Sequence, residues 1–271
     1  IHVLKKLNLL LGSRISNWEL EGTGYWDASL DSDDKGVFTP YAGLVYTHTD
    51  TLSVYASYTT TFKPQSYIDE NANYLDPTEG VNYEVGVKSS LLDDRLSASF
   101  AVFTTEQDNV ASWAGSFDDG TGRAYYSTED GVTTTGFEVE ISGSLTNTIE
   151  ASIGYSSMTI EDSEGEDTQT YIPTKTAKVN IVYQPEFITG LKVGASMNWK
   201  ESTNIAAWYG SAEQSAYALV NLMANYQINK NIKLSLNIDN VTDKKYYGSL
   251  IKPYITYGQP RNVTASLAYQ F

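Results

Sequence analysis

Long stretches of strict apolar–polar alternation constrain this chain more than any other feature. In the last of them Val263, Ala265, Leu267, Tyr269 and Phe271 alternate with Asn262, Thr264, Ser266, Ala268 and Gln270. Before it, Ile232, Leu234, Leu236 and Ile238 alternate with Lys233, Ser235, Asn237 and Asp239. Leu191, Val193, Ala195, Met197 and Trp199 stand against Lys192, Gly194, Ser196, Asn198 and Lys200, and Phe137, Val139 and Ile141 against Glu138, Glu140 and Ser142. Side chains two apart share one face of a strand, so each stretch predicts a strand with one apolar and one polar face. No comparable helical period appears. Roughly twelve such segments can be placed, near 7–18, 37–48, 51–62, 81–91, 94–108, 132–145, 148–161, 174–184, 190–201, 214–228, 231–241 and 259–271. Many are about ten residues or longer, which suits a tilted strand crossing a bilayer. Strands in soluble sheets are usually about five or six residues. Length is therefore the discriminator, because alternation alone fits a soluble sandwich equally well.

The connections alternate as well. Short turns fall at Thr49-Asp50, Leu92-Asp93-Asp94, Thr146-Asn147, 185–190 and Asn229-Lys230-Asn231. Long polar loops fall around 19–36, 63–80, 109–131, 162–173, 202–213 and 242–258. Outer-membrane barrels have this asymmetry, with tight periplasmic turns and long extracellular loops. It places Phe271 on the periplasmic side. The fold expected is all-β, an antiparallel transmembrane β-barrel with about twelve strands present.

Composition agrees and excludes other classes. A mean hydropathy of −0.32 would by itself suggest a soluble protein. A membrane barrel gives the same weak signal, since only every second strand residue meets lipid. The 21 tyrosines suit lipid–water boundaries. A net charge of −15 argues against nucleic-acid binding, which needs clustered Lys and Arg. The acidic runs (Asp31, Asp33, Asp34; Asp118, Asp119; Glu161, Asp162, Glu164, Glu166, Asp167) are expected to be solvated loops, and 162–167 lacks full calcium-loop spacing. The absence of cysteine excludes disulfides and thiolate metal sites. Only His2 and His48 exist, far apart, which speaks against a histidine metal site and against a Ser–His hydrolase. Ile1-His2-Val3-Leu4-Lys5-Lys6 is not a signal peptide, so the chain is expected to begin mid-protein.

Several blocks, in order, resemble the TonB-dependent receptors for ferric siderophores. They are Tyr55-Ala56-Ser57-Tyr58 leading to Phe62-Lys63-Pro64-Gln65; Leu75-Asp76-Pro77-Thr78-Glu79-Gly80 followed by 82–88; Phe103 through Glu106-Gln107-Asp108-Asn109-Val110; and Gly136-Phe137-Glu138-Val139-Glu140. The end is similar too, from Leu236 through Asn240-Val241-Thr242-Asp243-Lys244-Lys245-Tyr246-Tyr247 to Gly258-Gln259-Pro260-Arg261-Asn262-Val263 and Phe271. The resemblance implies a 22-stranded barrel of which this chain is the second half, with the plug domain and N-terminal strands absent. It implies an outer-membrane receptor, not an enzyme, that imports a ferric siderophore. The energy would come from the TonB–ExbB–ExbD complex, and lipid and lipopolysaccharide would surround the barrel. No cofactor is implied, because the iron arrives already chelated. Cobalamin, haem and glycan receptors share this barrel, and a passive porin or smaller self-contained barrel is the alternative.

Recognition of a bulky chelate calls for aromatic faces and a few hydrogen-bond donors. The candidates are Trp113, Tyr125, Tyr126, Trp208, Tyr209, Tyr246, Tyr247 and Tyr254, with Tyr257 beside them. Trp113 and Trp208 lead, each in a long loop beside small residues. The competing role for each is membership of an aromatic girdle. Inward charges form a second group, Lys88, Glu138, Glu140, Lys192, Lys200, Lys233 and Asp239, expected to pair locally across strands. Arg261 is expected to act structurally at its loop-to-strand junction.

Overall fold

The computed structural model describes residues 2–4, 6–22, 32–120, 122–207, 210–250 and 255–271. These residues form nineteen strands: β1 (His2–Leu4), β2 (Leu7–Leu20), β3 (Ser32–Thr49), β4 (Leu52–Lys63), β5 (Thr78–Leu91), β6 (Leu96–Asp108), β7 (Val110–Ser116), β8 (Ala124–Glu129), β9 (Val132–Ser144), β10 (Ile149–Glu161), β11 (Lys175–Tyr183), β12 (Leu191–Lys200), β13 (Thr203–Ala207), β14 (Gly210–Gln214), β15 (Tyr217–Gln227), β16 (Ile232–Asp239), β17 (Tyr247–Ser249), β18 (Thr256–Tyr257) and β19 (Asn262–Tyr269). Thirteen make one sheet in the order β1-β2-β3-β4-β5-β6-β9-β10-β11-β12-β15-β16-β19. The twelve expected segments correspond to its twelve long strands. The thirteenth, β1, is three residues long and has too little pattern to be seen in the sequence.

Two corrections follow from hydrogen bonding the sequence does not display. The connections expected as plain loops at 109–131, 202–213 and 242–258 carry the two-stranded ribbons β7–β8, β13–β14 and β17–β18. And β5 begins at Thr78 and β3 at Ser32, each inside a stretch expected to be loop, so that Asp33 and Asp34 lie in a paired strand.

Two compact units share these strands. One comprises 1–86, 102–136 and 159–168, the other 87–101, 137–158 and 169–271. In the second unit the register decides which side chains share a face. Ala151 pairs with Ile181, Ile181 with Ala195, Ala195 with Leu222, Leu222 with Ile238 and Ile238 with Val263. Directly opposed residues lie on one side of a sheet. Stepping by two along each strand adds Ile149, Ile153, Tyr155, Ala177, Val179, Tyr183, Leu191, Val193, Met197, Trp199, Ala218, Val220, Ala224, Tyr226, Ile232, Leu234, Leu236, Ala265, Leu267 and Tyr269. None of these residues is charged; Lys175, opposite Ser157 at the loop-side start of β11, adds one charge at the rim of the same face, where Glu201 pairs with it. Tyr183, Tyr226 and Tyr269 lie at its short-turn edge, while Trp199 lies at the loop-side end of β12. From Leu191 to Trp199 is roughly 26 Å along the strand, at about 3.3 Å per residue.

The opposite face is mostly polar, and several of its side chains bond across strands. Asn180 Nδ2 donates to Ser152 Oγ at 2.9 Å, Asn221 Nδ2 to Ser196 Oγ at 3.1 Å, and Ser235 Oγ to Asn225 Oδ1 at 2.7 Å. In the first unit the same division holds. Leu9, Leu44 and Ala56 share one face in register, and Asn8, Val45 and Tyr55 share the other. There the Tyr55 hydroxyl donates to Glu84. The buried residues are few and scattered, among them Leu96, Val132, Ile160 and Leu250, and large apolar side chains are exposed along the strands. A sheet of this size with so much exposed apolar surface needs an apolar medium.

Among the described residues tyrosine rings cover glycines four times: Tyr41 over Gly12, Tyr55 over Gly86, Tyr125 over Gly115 and Tyr246 over Gly258. A Cβ at these glycines would lie 2.0–2.5 Å from the ring. The missing side chain is what lets the ring lie flat on the backbone.

Candidate ligand-binding site

The strands β6 and β9 both break where they leave the main sheet. Asn109 takes a left-handed backbone with φ 57°, and Gly131 does so with φ 74°. Asn and Gly tolerate that region. The breaks are tied to each other. The Asn109 N–H donates to Asp130 Oδ1 at 2.8 Å, and the Gly131 N–H donates to Asp108 Oδ1 at 2.9 Å. Beyond this neck run β7 and β8.

Asn109 is also a hub. Its carbonyl accepts from Gln65 Nε2 at 2.9 Å and Thr78 Oγ1 at 3.3 Å, and its Nδ2 donates to the Pro77 carbonyl at 3.2 Å. Gln65 Nε2 also donates to the Asp76 carbonyl. The blocks 62–65, 75–80 and 106–110, far apart in sequence, thus meet in one knot.

From the knot, residues 64–77 lie along the hairpin. The Tyr126 N–H donates to the Ile68 carbonyl at 2.8 Å, and the Tyr67 and Tyr126 rings are 4.5 Å apart. Burial, with Tyr67 adjacent, pushes the Tyr126 phenol up from its usual value. The tip is closed by Asp69, whose Oδ1 accepts from the Asn73 and Asn71 amides at 2.8 and 2.9 Å. The Asn73 amide bond is the chief cause that holds the Asp69 carboxyl below its ordinary range.

Trp113 stands directly opposite Tyr126 on the ribbon, so both use one face. Its indole is 57% exposed, a flat apolar surface held beside a fixed phenol pair. Tyr125 turns to the other face, over Gly115 and edge-on to Phe117 at 5.3 Å, where Arg123 sits 4.8 Å above the Phe117 ring. Of the three candidates on this hairpin, Trp113 and Tyr126 share a face and Tyr125 packs on the other. Tyr67 was not among the sequence candidates. Its only signal was an aromatic residue shortly after Pro64 in a long loop.

The neck makes a specific prediction. Asp130→Ala removes one acceptor and is expected to loosen the hairpin by about 1 kcal/mol, raising amide exchange across 110–129 roughly fivefold. Asp130→Asn keeps an oxygen acceptor and should restore protection. Unchanged exchange in Asp130→Ala would count against the neck as a fastening.

A second aromatic group belongs to the other unit. Tyr246 stacks on Tyr217 at 4.9 Å and covers Gly258. Tyr247 lies 5.2 Å from Tyr257, whose ring is largely exposed, and its N–H donates to Gln214 Oε1 at 2.7 Å. Asn240 fixes the turn beneath. It is 3% exposed, with Oδ1 accepting from the Lys244 N–H at 2.8 Å and Nδ2 donating to the Lys244 and Gln259 carbonyls at 2.9 and 3.1 Å. Arg261 donates its N–H to Asp243 Oδ1 at 3.0 Å, at the loop-to-strand junction. Trp208, Tyr209 and Tyr254 lie outside the described residues.

For four of the inward charges the register sets a neutral residue directly opposite, in place of the expected cross-strand charge pair. Lys192 faces Asn225, Lys233 faces Ala268, Lys200 faces Tyr217 and Asp239 faces Asn262, all neutral partners. Lys175 pairs with Glu201 at 2.8 Å and Arg261 with Asp243 at 3.9 Å. The Lys175 and Thr174 bonds hold the Glu201 carboxyl below its usual range. In the acidic loop, Asp162 Oδ1 accepts from the Glu164 and Glu166 amides, each at 3.0 Å, closing a turn. His48 lies in β3 at its short-turn end, beside Tyr46, away from the loop-side aromatics of its own unit.

Comparison with known proteins agrees with this geometry. The family model described as "TonB dependent receptor-like, beta-barrel" matches residues 1–241. The ferric-pyoverdine BN7/BN8 receptor of Pseudomonas putida is 38% identical over 99% of this chain and 33% of its own length. The ferripyoverdine receptor of Pseudomonas aeruginosa is 34% identical over 100% of this chain and 34% of its own length. A crystal structure of the outer-membrane ferripyoverdine receptor of that species, bound to ferripyoverdine, superposes with TM-score 0.82 and 33% identity, covering 100% of this chain and 37% of the other. The chain thus spans about a third of the length of the curated relatives it matches.

Proposed function

This chain belongs to the TonB-dependent receptor β-barrel family, and on that premise we propose that it is the C-terminal barrel portion of an outer-membrane receptor that imports a ferric siderophore of the pyoverdine type. The family is one of transport receptors rather than enzymes. The observation that carries the reading is the apolar face running in register through β10, β11, β12, β15, β16 and β19, with its one charge, Lys175, at the loop-side rim, and backed by hydroxyls and carboxamides. Acyl chains cover the first face and water wets the second.

In this mechanism the receptor makes and breaks no covalent bond. Iron is cargo, held by the siderophore's own oxygens. Trp113, with Tyr67 and Tyr126 behind it, offers a flat surface to a ring of the chelate. The neck at Asn109 and Gly131 holds that surface in place before the ligand arrives, which lowers the ordering cost of binding. Work for release comes from the TonB–ExbB–ExbD complex acting on a plug domain outside this chain.

The test is fluorescence titration of the complete receptor in detergent with ferripyoverdine. Saturable binding is expected, weakened about tenfold in Trp113→Ala, the magnitude of a single aromatic anchor. Saturable binding of cobalamin or haem in its place would redirect the substrate assignment. A stable open conductance in planar bilayers, with no ligand bound by any of these measures, would favour a passive pore.

A further inference from the structure

We propose that a concavity at the loop-side end of β12 and β15 is a subsite for a single carboxylate on the ligand, with Lys200 as its cation. The inference rests on the receptor reading and deepens it. The concavity measures about 380 Å³ and is bordered by Tyr171, Thr203, Tyr217, Tyr247 and Leu250. Its walls are fixed before any ligand enters. Tyr217 is 8% exposed beneath the stacked Tyr246 ring, and the Tyr247 backbone is bonded to Gln214.

Among the described residues that line it, two are charged, Lys200 and Glu201. Glu201 is already committed: Lys175 Nζ donates to Oε1 and Thr174 Oγ1 to Oε2, both at 2.8 Å. Lys200 makes no ion pair among the described residues. The register sets it between Thr176 and Tyr217, both neutral; the Thr176 hydroxyl is bonded to Ser156 Oγ at 2.8 Å, while Tyr217 borders the concavity with Thr203, Tyr171 and Tyr247. The concavity therefore presents one uncompensated positive charge among hydroxyl groups, on a chain whose net charge is −15.

A carboxylate supplies one negative charge and two acceptor oxygens, which matches one ammonium and its hydroxyl neighbours. A phosphate dianion would leave surplus negative charge beside Glu201. A lipid head group is the wrong occupant, because Lys200 and Tyr217 point away from the face that carries Trp199 and Ala218. The ligand is one that arrives through water.

The first test uses the complete receptor with its lysines dimethylated with a 13C label, a change that keeps their charge. The Lys200 signal is assigned by its absence in Lys200→Gln. It is expected to shift saturably with N-acetylglycinate, and inorganic phosphate should bind at least about tenfold more weakly, a difference of one full charge mismatch. No saturable shift, or tighter phosphate binding, overturns the proposal. The second test compares ferripyoverdine with ferripyoverdine whose free carboxylates have been amidated. Wild type should prefer the unmodified form by about tenfold, Lys200→Arg should keep the preference, and Lys200→Gln should lose it. Equal binding of both forms by wild type, or a preference unchanged in Lys200→Gln, overturns the subsite and leaves the receptor reading standing. If wild type binds neither form, the pyoverdine reading fails, and the simple-anion titration still decides the subsite.

Discussion

Leu236→Arg is expected to destabilise the protein in a bilayer by about 2–4 kcal/mol, whereas Asn237→Arg, one residue along, should change stability by less than about 0.5 kcal/mol. Both side chains are exposed in the isolated chain. A water-soluble protein would tolerate either arginine. The register separates them. Leu236 lies between Ala224 and Ala265 on the apolar face, and Asn237 between Met223 and Thr264 on the polar one. An arginine near the middle of the apolar face must lose its hydration or drag water inward, which is the origin of the penalty. The measurement is the denaturant midpoint of each variant of the complete receptor in phospholipid vesicles. Equal, small effects would mean that water wets both faces.

Asn240→Ala is expected to cost about 3 kcal/mol, from three lost side-chain hydrogen bonds and the carbonyls left without donors. Asn240 also sits at φ 49°, a backbone that asparagine tolerates and alanine does not. Asn240→Gly separates these causes. Glycine accepts the backbone but makes no side-chain bond, so about two thirds of the loss should persist, since the bonds outweigh the backbone term. Full recovery in Asn240→Gly would show that conformation alone matters there. The Tyr217–Tyr246 stack reports on the same turn, because Tyr246 follows directly from the segment Asn240 holds. Loss of their shared near-ultraviolet dichroism should accompany the loss of stability.

The twelve long strands were legible because alternation is written residue by residue, and a period of two has one common structural cause. The ribbons within the long connections were not. Residues 110–116 and 124–129 alternate poorly, and their pairing depends on the breaks at Asn109 and Gly131. Sequence reasoning selected Trp113 and Tyr126 as aromatics in a long loop, but had no means to see that they share a face and that Tyr125 does not. Tyr67 escaped notice because its partner is 59 residues away, Tyr126.

The inward charges make the same point from the other side. Lys200, Lys192, Lys233 and Asp239 were correctly assigned to the polar face by parity alone, but parity does not say which neighbour each one meets. Strand register does, and it sets each beside a neutral residue. By itself the amino-acid order determined which residues alternate, how long the strands are and which medium their apolar side requires, since these follow from local period and length. Only the folded chain decided which distant motifs join in the Asn109 and Asn240 knots, and that Lys200 is left with its charge unmatched. Those outcomes depend on hydrogen-bond register between separate strands, a property that no single segment carries.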